Sequence, residues 1–230
     1  MSSIAIITAR GGSKRIPRKN IKPFLGKPIL SYSVEAALAS GLFDTVMVST
    51  DDEEIAQIAK ECGAQVPFYR SERTSNDYAA TADVVSEVLE EYAKRGIYYE
   101  TVCVIYPTAP FLKAEALKEA MGVLLSGSAD SVLPVVKFSF PPQRSVVLRN
   151  GELMPYDKES MAMRSQDLEP YYHDCGQFYC LRVASFLMQR SLIMAHTAPY
   201  FMDEITVQDI DTEEDWKIAE MKYRLLQDMC

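Results

Sequence analysis

The sequence predicts an α/β protein with an open, mostly parallel sheet and helices on both faces of that sheet. Three observations support this fold class. Strand-like and helix-like segments alternate over the first 136 residues, as they do in repeated βαβ units. The predicted strands are short, apolar and rich in β-branched residues, as expected for strands that are buried on both faces. The 230 residues are enough for one large domain with an insertion.

The first part of the chain carries the alternating pattern. Its first strand ends at the loop 9–12, and Gly41 and Gly63 follow two of the predicted helices as stop signals. The strands predicted here are 3–8, 45–50, 66–69, 101–106 and 131–136. The helices predicted here are 30–40, 52–61, 78–95 and 113–125. Because the first loop follows a buried strand, it lies at the edge where open α/β sheets bind ligands, and we expect the chemistry there.

Residues 137–170 interrupt the alternation. Polar, Met-rich segments replace helical periodicity, and Asn150-Gly151 between 146–149 and 152–154 is a strong β-hairpin signal. We interpret 137–170 as an inserted, β-rich arm that takes part in dimerisation and in the sugar site. Three methionines of this arm would be unusual on the surface of a monomer: Met154, Met161 and Met163. They predict a homodimer, and the alternative is a hairpin that caps its own subunit.

After the arm the alternation resumes, and no repeat or linker divides the chain. The remaining predicted elements are strand 177–181, helix 184–190, strand 207–210 and helix 213–227, which complete a single domain over 1–230. The longest apolar runs are far shorter than the roughly 18 residues of a membrane-spanning helix. No basic leader precedes the apolar N-terminal stretch, and the five scattered cysteines are typical of reduced thiols. We therefore expect a cytoplasmic protein with no membrane partner.

The charge distribution points to a compact anionic ligand. The net charge of −8 opposes a broad nucleic-acid surface, so we expect no nucleic-acid partner. Several basic residues nevertheless precede the first acidic residue, Glu35: Arg10, Lys14, Arg15, Arg18, Lys19, Lys22 and Lys27. The loop also contains Gly11 and Gly12, which let backbone N–H groups approach phosphate oxygens. It matches neither GxGxxG nor GxxxxGK[ST], and the alternative is a solvated basic loop.

Two carboxylates near the C-terminus form a candidate metal site. Asp209 and Asp211 are two positions apart, so on the predicted strand 207–210 they would point to one face, roughly 6.6 Å apart along the backbone. Two hard oxygen ligands suit a hydrated Mg²⁺ whose other ligands are water and phosphate oxygens. We therefore predict Mg²⁺ as cofactor, held by Asp209 and Asp211. The alternative is that Asp211 only caps the helix that follows.

The basic loop also carries a resemblance to a known family. Residues 6–20 read IITARGGSKRIPRKN, which resembles the signature of the acylneuraminate cytidylyltransferases, or CMP-sialic acid synthetases, whose consensus is close to IPARGGSKxIPxKN. The resemblance extends to LFD at 42–44, VSTDD at 48–52, PTAP at 107–110 and VQDIDT at 207–212. It implies a Rossmann-like fold of the nucleotide-diphospho-sugar transferase type. It also implies a homodimeric nucleotidyltransferase that joins CMP from CTP to a nonulosonic acid and releases pyrophosphate.

The resemblance assigns roles to residues on the nucleotide side. It implies that Arg10, Lys14 and Lys19 contact the CTP phosphates and act in catalysis together with Asp211 and the metal. Asp211, or a water on the metal, would accept the proton of the sugar hydroxyl. The nucleotide-binding set that it implies is Gly11, Gly12, Ser13, Asn20, Arg70 and Thr81, of which Arg70 and Thr81 would lie near the cytosine. Their alternatives are a surface arginine and a helix-facing hydroxyl.

The resemblance also concerns the sugar. Tyr106 stands where the family commonly has glutamine, at a position implied to meet the sugar, and Arg164 is implied to meet the sugar carboxylate. Gln177 is assigned to the same substrate-binding set. Four segments are most similar to the pseudaminic acid branch: RIPRK at 15–19, YPTAPF at 106–111, RSQD at 164–167 and YHDCGQFY at 172–179. The alternatives are CMP-N-acetylneuraminate or CMP-legionaminate synthesis and, in another class, a non-catalytic nucleotide-binding module.

Overall fold

One seven-stranded sheet forms the centre of the protein. The computed structural model describes residues 2–228. The strands of the whole chain, including those of two small two-stranded sheets, are β1 Ser3–Thr8, β2 Pro23–Phe24, β3 Lys27–Pro28, β4 Thr45–Ser49, β5 Thr101–Ile105, β6 Ser131–Lys137, β7 Val146–Arg149, β8 Glu152–Pro155, β9 Tyr172–Asp174, β10 Phe178–Arg182 and β11 Thr197–Phe201. Its α-helices are α1 Ile29–Ser40, α2 Glu53–Glu61, α3 Glu72–Ser75, α4 Thr81–Ala93, α5 Ala114–Ser126, α6 Lys158–Ala162, α7 Val183–Gln189 and α8 Glu213–Asp228.

The sheet is open and its strands are mostly parallel. Its order is β11-β6-β10-β5-β1-β4, with β9 added alongside β6. Strand β1 pairs in parallel with β4 and β5, and β11 pairs in parallel with β6. Strand β10 is antiparallel to β5 and β6, and β9 is antiparallel to β6. Five of the seven strands therefore run in one direction, and the predicted fold class is confirmed.

Strand β1 is buried on both faces because its side chains alternate between two hydrophobic layers. Ala5 and Ile7 join one layer, which includes residues of α1, α2 and α5. Ile4 and Ile6 join the other layer, which includes residues of α4 and α7. All four side chains are inaccessible to solvent, so each contributes the full transfer free energy of its apolar surface. This two-layer burial fixes the position at which β1 ends and the basic loop begins.

Two predicted strands are wrong. Segment 66–69 makes no ladder, because only Gln65 bridges to Met47 and Pro67 has no N–H to donate. Segment 207–210 is also not a strand, because side chains form hydrogen bonds with its backbone. Lys222 Nζ, for example, donates to the Val207 carbonyl at 2.8 Å. The strand at that edge of the sheet is instead β11, parallel to β6. The predicted helix 78–95 begins later, at α4, with the separate short helix α3 before it.

The predicted hairpin lies within residues 137–170. Strands β7 and β8 pair antiparallel through the turn Asn150-Gly151, whose φ values of 53° and 85° match a type I′ turn. A 3-10 helix precedes the hairpin, and α6 and a second 3-10 helix follow it. The hairpin carries exposed apolar side chains, since Leu148 and Leu153 both expose 70% of their surface.

Within residues 2–228, no helix has the length and apolar character needed to cross a membrane.

Glu87 of α4 fixes α3 and the segment before it. Its carboxylate accepts hydrogen bonds from the Ser71 N–H at 2.7 Å, the Ser71 hydroxyl at 2.6 Å and the Thr74 hydroxyl at 2.7 Å. Burial alone would raise the pKa of Glu87, but these hydrogen bonds outweigh it and hold the pKa below its ordinary value. The ionised form therefore stabilises the fold above the ordinary carboxyl pKa. That contribution is lost as the pH falls through the pKa of the folded protein.

We expect Glu87→Gln to lower the free energy of unfolding by about 1–3 kcal/mol at pH 7, because a buried network loses a charged acceptor. Urea unfolding of both proteins at several pH values measures this. The difference between them should narrow as the pH falls below the pKa of Glu87, since the wild type then loses the same charge. Glu72→Gln, an exposed charge on the neighbouring α3, is the control. A difference that stays constant with pH would show that the charge of Glu87 contributes nothing.

Candidate functional site

A cavity of about 530 Å³ opens at the carboxyl ends of β1 and β5. Thr8 is the last residue of β1, and Tyr106 directly follows β5. The residues that line it are Thr8, Arg10, Ser13, Lys14, Arg15, Lys19, Asn20, Tyr106, Pro107, Thr108, Asp209 and Asp211. A larger, mostly apolar cavity of about 630 Å³ lies between α1, α5 and α8 and contains none of the predicted site residues. The smaller cavity brings the predicted basic residues and both predicted aspartates together, so it is the candidate site.

The loop after β1 is anchored by the end of β4. The Ala9 N–H donates to the Ser49 carbonyl at 3.0 Å, and the Gly11 N–H donates to the Asp51 carboxylate at 2.9 Å. A Cβ atom at Gly11 would lie only 2.8 Å from Asp52 Oδ2, so a side chain there would displace Asp52. Asp52 in turn caps α2 and accepts hydrogen bonds from the Arg18 guanidinium. The adjacent residues Asp51 and Asp52 therefore hold the segment after β1 at two points, Gly11 and Arg18.

Asn20 holds the loop from inside. Its side chain is buried, and its amide donates to the Arg10 carbonyl at 2.8 Å. The Ser13 N–H donates to the Gly11 carbonyl at 3.0 Å, which tightens the turn between them. These bonds fix the backbone from which Arg10, Ser13 and Lys14 extend to the cavity wall. The rigid part of the loop is thus its backbone, while its long cationic side chains stay adjustable.

Four cationic side chains of the cavity wall pair with two carboxylates. Arg10 Nη1 lies 2.8 Å from Asp77 Oδ1, and Lys14 Nζ contacts Asp77 Oδ2. Arg15 Nη2 lies 2.7 Å from Asp211 Oδ1, and Lys19 Nζ lies 3.4 Å from that oxygen. These are partly exposed ion pairs, which contribute little to stability and exchange partners readily. The arrangement therefore concentrates positive charge that an anionic ligand can take over.

Asp209 and Asp211 both line the cavity, although they are not on a strand. Lys19 Nζ donates to the carbonyl of Ile210, between them, at 2.6 Å. The N–H of Asp211 donates to the Asp215 carboxylate at 3.1 Å. Side chains thus hold this segment in place of a β ladder. The predicted geometry, with both carboxylates on one face of a strand, was wrong, but both groups reach the same cavity.

The surroundings of Asp209 disfavour its charged form. Removal of water by the surrounding residues raises the pKa of Asp209, and the negative charge of Asp211 raises it further. Lys19 offsets this only in part. Within residues 2–228, no three His, Cys, Asp or Glu side chains form a metal-holding group. Two carboxylates that repel each other at an open cavity suit a divalent cation that takes its remaining ligands from water and phosphate.

Tyr106 forms another part of the wall. Its hydroxyl lies 3.5 Å from the Thr81 hydroxyl at the start of α4. Its ring packs edge-on against the buried ring of Tyr179, with centroids 5.7 Å apart. The Tyr179 hydroxyl donates to the Asp174 carboxylate. Thr81 itself does not line the cavity, so of these two neighbouring hydroxyls only that of Tyr106 belongs to a wall residue.

Other predicted site residues lie behind or beside the wall. Gly11 and Gly12 belong to the loop but do not line the cavity. Arg70 is buried and donates to the Ser49 carbonyl at 2.8 Å, and burial lowers its pKa to about 10. Gln177 is 1% exposed and donates to the Thr206 carbonyl at 2.7 Å. Arg164 pairs with Asp167 at 2.7 Å, outside the cavity. Arg70, Gln177 and Arg164 thus have protein partners in this state.

Some cavity residues were missing from the predicted set. Arg15, Thr8 and Thr108 line the wall, and Asp77 pairs with two of its cations. The signal for Arg15 was its place in the basic run, and Thr8 and Thr108 lie in motifs that marked the site. Asp77 had no signal, because its contact with Arg10 spans 67 residues of sequence.

Comparison with known proteins shows the family of this chain. The family model described as cytidylyltransferase matches residues 4–215. The chain is 40% identical to a pseudaminic acid cytidylyltransferase of Campylobacter jejuni over 98% of this chain and 97% of that protein. It is 30% identical to a CMP-N,N'-diacetyllegionaminic acid synthase of Legionella pneumophila, over 99% of each chain.

A solved structure supports the fold. The structure of a CMP:2-keto-3-deoxy-manno-octonic acid synthetase complexed with CTP superposes with a TM-score of 0.69, over 99% of this chain and 100% of that one. At 17% identity, this likeness concerns the fold alone. The nearly full-length family match and the 40% identical relative decide the assignment. The chain is therefore a nucleotidyltransferase that belongs to the cytidylyltransferase family.

Proposed function

We propose that this enzyme transfers CMP from CTP to a nonulosonic acid, with pseudaminic acid as the favoured sugar. The observation that carries the proposal is the cavity at the end of β1, where a basic loop meets the two carboxylates Asp209 and Asp211. The 40% identity with a pseudaminic acid cytidylyltransferase over nearly the whole chain favours that sugar. The relative named for N,N'-diacetyllegionaminic acid is less similar, at 30% identity, and makes that sugar the alternative.

The basic loop would bind the triphosphate. Arg10, Lys14 and Lys19 line the cavity with charged side chains, and Asn20 fixes the backbone between them. Cations held in place before the reaction stabilise charge that develops on phosphate oxygens, usually the largest contribution to this kind of transfer. In the ligand-free state these cations are paired with Asp77 and Asp211. Phosphate oxygens would replace the Asp77 carboxylate as the partner of Arg10 and Lys14, and the backbone of the basic loop would not have to move.

Asp209 and Asp211 would hold the metal. Their oxygens and the open cavity fit Mg²⁺, which typically uses one or two carboxylates together with substrate phosphates. When bound, Mg²⁺ supplies positive charge that offsets the charge of the phosphates. Asp211 also accepts hydrogen bonds from Arg15 and Lys19. These bonds, together with the bond from Lys19 to the Ile210 carbonyl, hold the segment 207–211 against the basic loop.

The reaction would be a direct displacement at the α-phosphorus. The anomeric hydroxyl oxygen of the sugar forms the new P–O bond, and the bond from the α-phosphorus to the bridging oxygen breaks, which releases pyrophosphate. Asp211 would accept the proton of the attacking hydroxyl. Lys14 and Lys19, on the loop side of the cavity, would stabilise the charge of the leaving pyrophosphate.

The remaining wall would select the base and the sugar. Tyr106 lines the cavity, and its hydroxyl, 3.5 Å from the hydroxyl of Thr81 beside the wall, would meet polar groups of the substrates. Arg70 would act indirectly, because it is buried and supports the carbonyl of Ser49 at the end of β4. Arg164 would reach a sugar carboxylate only after it exchanges its present partner, Asp167. Gln177 would act from behind the wall through its bond to Thr206.

We also propose a homodimer that acts in the cytoplasm. The hairpin β7–β8 exposes apolar side chains that a second subunit would cover, among them Leu148 and Leu153. Cys62, Cys103, Cys175 and Cys180 are free thiols, which agrees with a reducing compartment. The net charge of −8 supports the absence of a nucleic-acid partner.

Pyrophosphate release tests the activity directly. CTP and Mg²⁺ are supplied with pseudaminic, N,N'-diacetyllegionaminic or N-acetylneuraminic acid, with a reaction lacking sugar as control. We expect release with pseudaminic acid at a rate at least about tenfold above the other sugars, the range that differential contacts in one pocket produce. Release with another sugar alone would change the assigned substrate. A folded protein that binds CTP but releases no pyrophosphate with any of these sugars would contradict the proposed reaction.

The metal proposal predicts separable effects of two substitutions. Asp209→Asn and Asp211→Asn should each lower kcat by about 10²-fold or more, because charge stabilisation in the transition state is lost. The dissociation constant of CTP measured without metal should change much less. Asp203→Asn, an exposed aspartate outside the cavity, should keep wild-type kinetics. Variants at 209 and 211 with wild-type turnover at every Mg²⁺ concentration would rule out this metal site.

The dimer proposal predicts a change of mass. Placing aspartate at both Leu148 and Leu153 should convert a dimer to a monomer, because charges on the covered hairpin cannot be desolvated without cost. Sedimentation velocity measures the mass of both proteins. Leu225→Asp, which adds one such charge at an exposed leucine of α8, should leave the dimer intact. A wild-type monomer, or a double variant that stays dimeric, would argue against the hairpin as the interface.

A further inference from the structure

We infer that Asp77 competes with the triphosphate of CTP: it holds Arg10 and Lys14 in the nucleotide-free enzyme and must release both side chains before phosphates bind. This inference rests on the proposed function of the cavity. It adds a residue, outside the basic loop and outside the cavity wall, that sets the affinity for the nucleotide.

The contact has the form of a phosphate contact. Asp77 Oδ1 accepts a hydrogen bond from Arg10 Nη1 at 2.8 Å, while its other oxygen, Oδ2, contacts Lys14 Nζ. Each cation therefore has its own carboxylate oxygen, as it would have its own phosphate oxygen. Arg10 and Lys14 line the cavity but Asp77 does not. The Asp77 carboxylate thus lies outside the cavity wall and pairs with the charged groups of two residues that line the cavity.

The position of Asp77 allows it to withdraw. It lies in the loop 76–80, between α3 and α4, and the next residue, Tyr78, exposes 96% of its surface. A turn within the loop is held locally, by the Tyr78 N–H that donates to Asn76 Oδ1 at 2.9 Å. Movement of Asp77 therefore uncovers no buried apolar side chain. The opening of this contact costs the two ion pairs and little else.

The other two cations of the loop pair with a carboxylate that belongs to the cavity wall. Arg15 and Lys19 pair with Asp211, which itself lines the cavity and has a proposed role as metal ligand. Asp211 would stay in the site when the nucleotide binds, whereas Asp77 has no position in the cavity to move to. Lys14 and Arg10 also hold the pKa of Asp77 below its ordinary value, so the carboxylate is charged at neutral pH.

The competition has a measurable consequence. If only a fraction of molecules has Arg10 and Lys14 released, the apparent dissociation constant of CTP equals the intrinsic constant divided by that fraction. Asp77→Asn keeps the size of the side chain and removes its charge. We expect this variant to bind CTP about three- to tenfold more tightly than wild type, the range that partly exposed ion pairs produce.

Isothermal titration without sugar, in the presence of Mg²⁺, measures these constants for CTP, inorganic tripolyphosphate and cytidine. Tripolyphosphate should gain affinity as CTP does, and cytidine, which has no phosphate, should not respond. Asp77→Glu should bind as wild type does because it keeps the charge. Glu72→Gln removes an equal charge from α3 and should change the CTP constant by less than about 1.5-fold, since exposed distant charges are screened.

A double-mutant cycle separates competition from distant repulsion. In a Lys14→Met background the gain from Asp77→Asn should shrink, because Asp77 then has one partner fewer. An undiminished gain there would show that Asp77 repels phosphate without holding the loop. Equal or weaker CTP binding by Asp77→Asn would also overturn the inference, the second by showing that Asp77 positions its cations for the ligand. A wild-type protein that binds no CTP would contradict the proposed function itself.

Discussion

The structure around the cavity depends on the neutralisation of one basic loop by carboxylates from distant parts of the chain. A short segment with this many cations repels itself and is stable in one shape only if opposite charges surround it. The carboxylates come from the end of β4, from the loop before α4 and from the start of α8. Because most of these ion pairs are partly exposed, they hold the loop in one position and can still be replaced by ion pairs with a ligand.

The sheet explains why these carboxylates meet. Strands β1, β4 and β5 are parallel neighbours, so their carboxyl ends and the loops after them share one edge. Burial of β1 between two hydrophobic layers fixes that edge. Asp51 and Asp52 come shortly after β4 and lie beside Gly11, where a side chain would push against Asp52. Packing thus decides where the charges lie, and the charges decide the shape of the loop.

Local features were predictable from the sequence, and long-range contacts were not. The run 3–8, the turn Asn150-Gly151 and the helix predicted to begin at Asp52 are local signals, and each corresponds to an observed element. The strand predicted at 66–69 failed because Pro67 removes a donor that local hydrophobicity does not reveal. The basic loop was evident from its charges. Its partner Asp77, 67 residues away from Arg10, depends on where α3 and α4 lie and has no pattern of its own.

The reversed strands at one side of the sheet have a consequence for how this protein can change. Strand β6 ends at Lys137, where the arm begins, and β9 returns antiparallel to β6, so that Lys137 lies opposite Tyr172. The two ends of the arm are therefore adjacent, at the edge that carries the cavity. A segment whose ends meet can be lengthened, shortened or exchanged without altering the sheet. The length and sequence of the arm can accordingly change while the strands that position the cavity stay as they are.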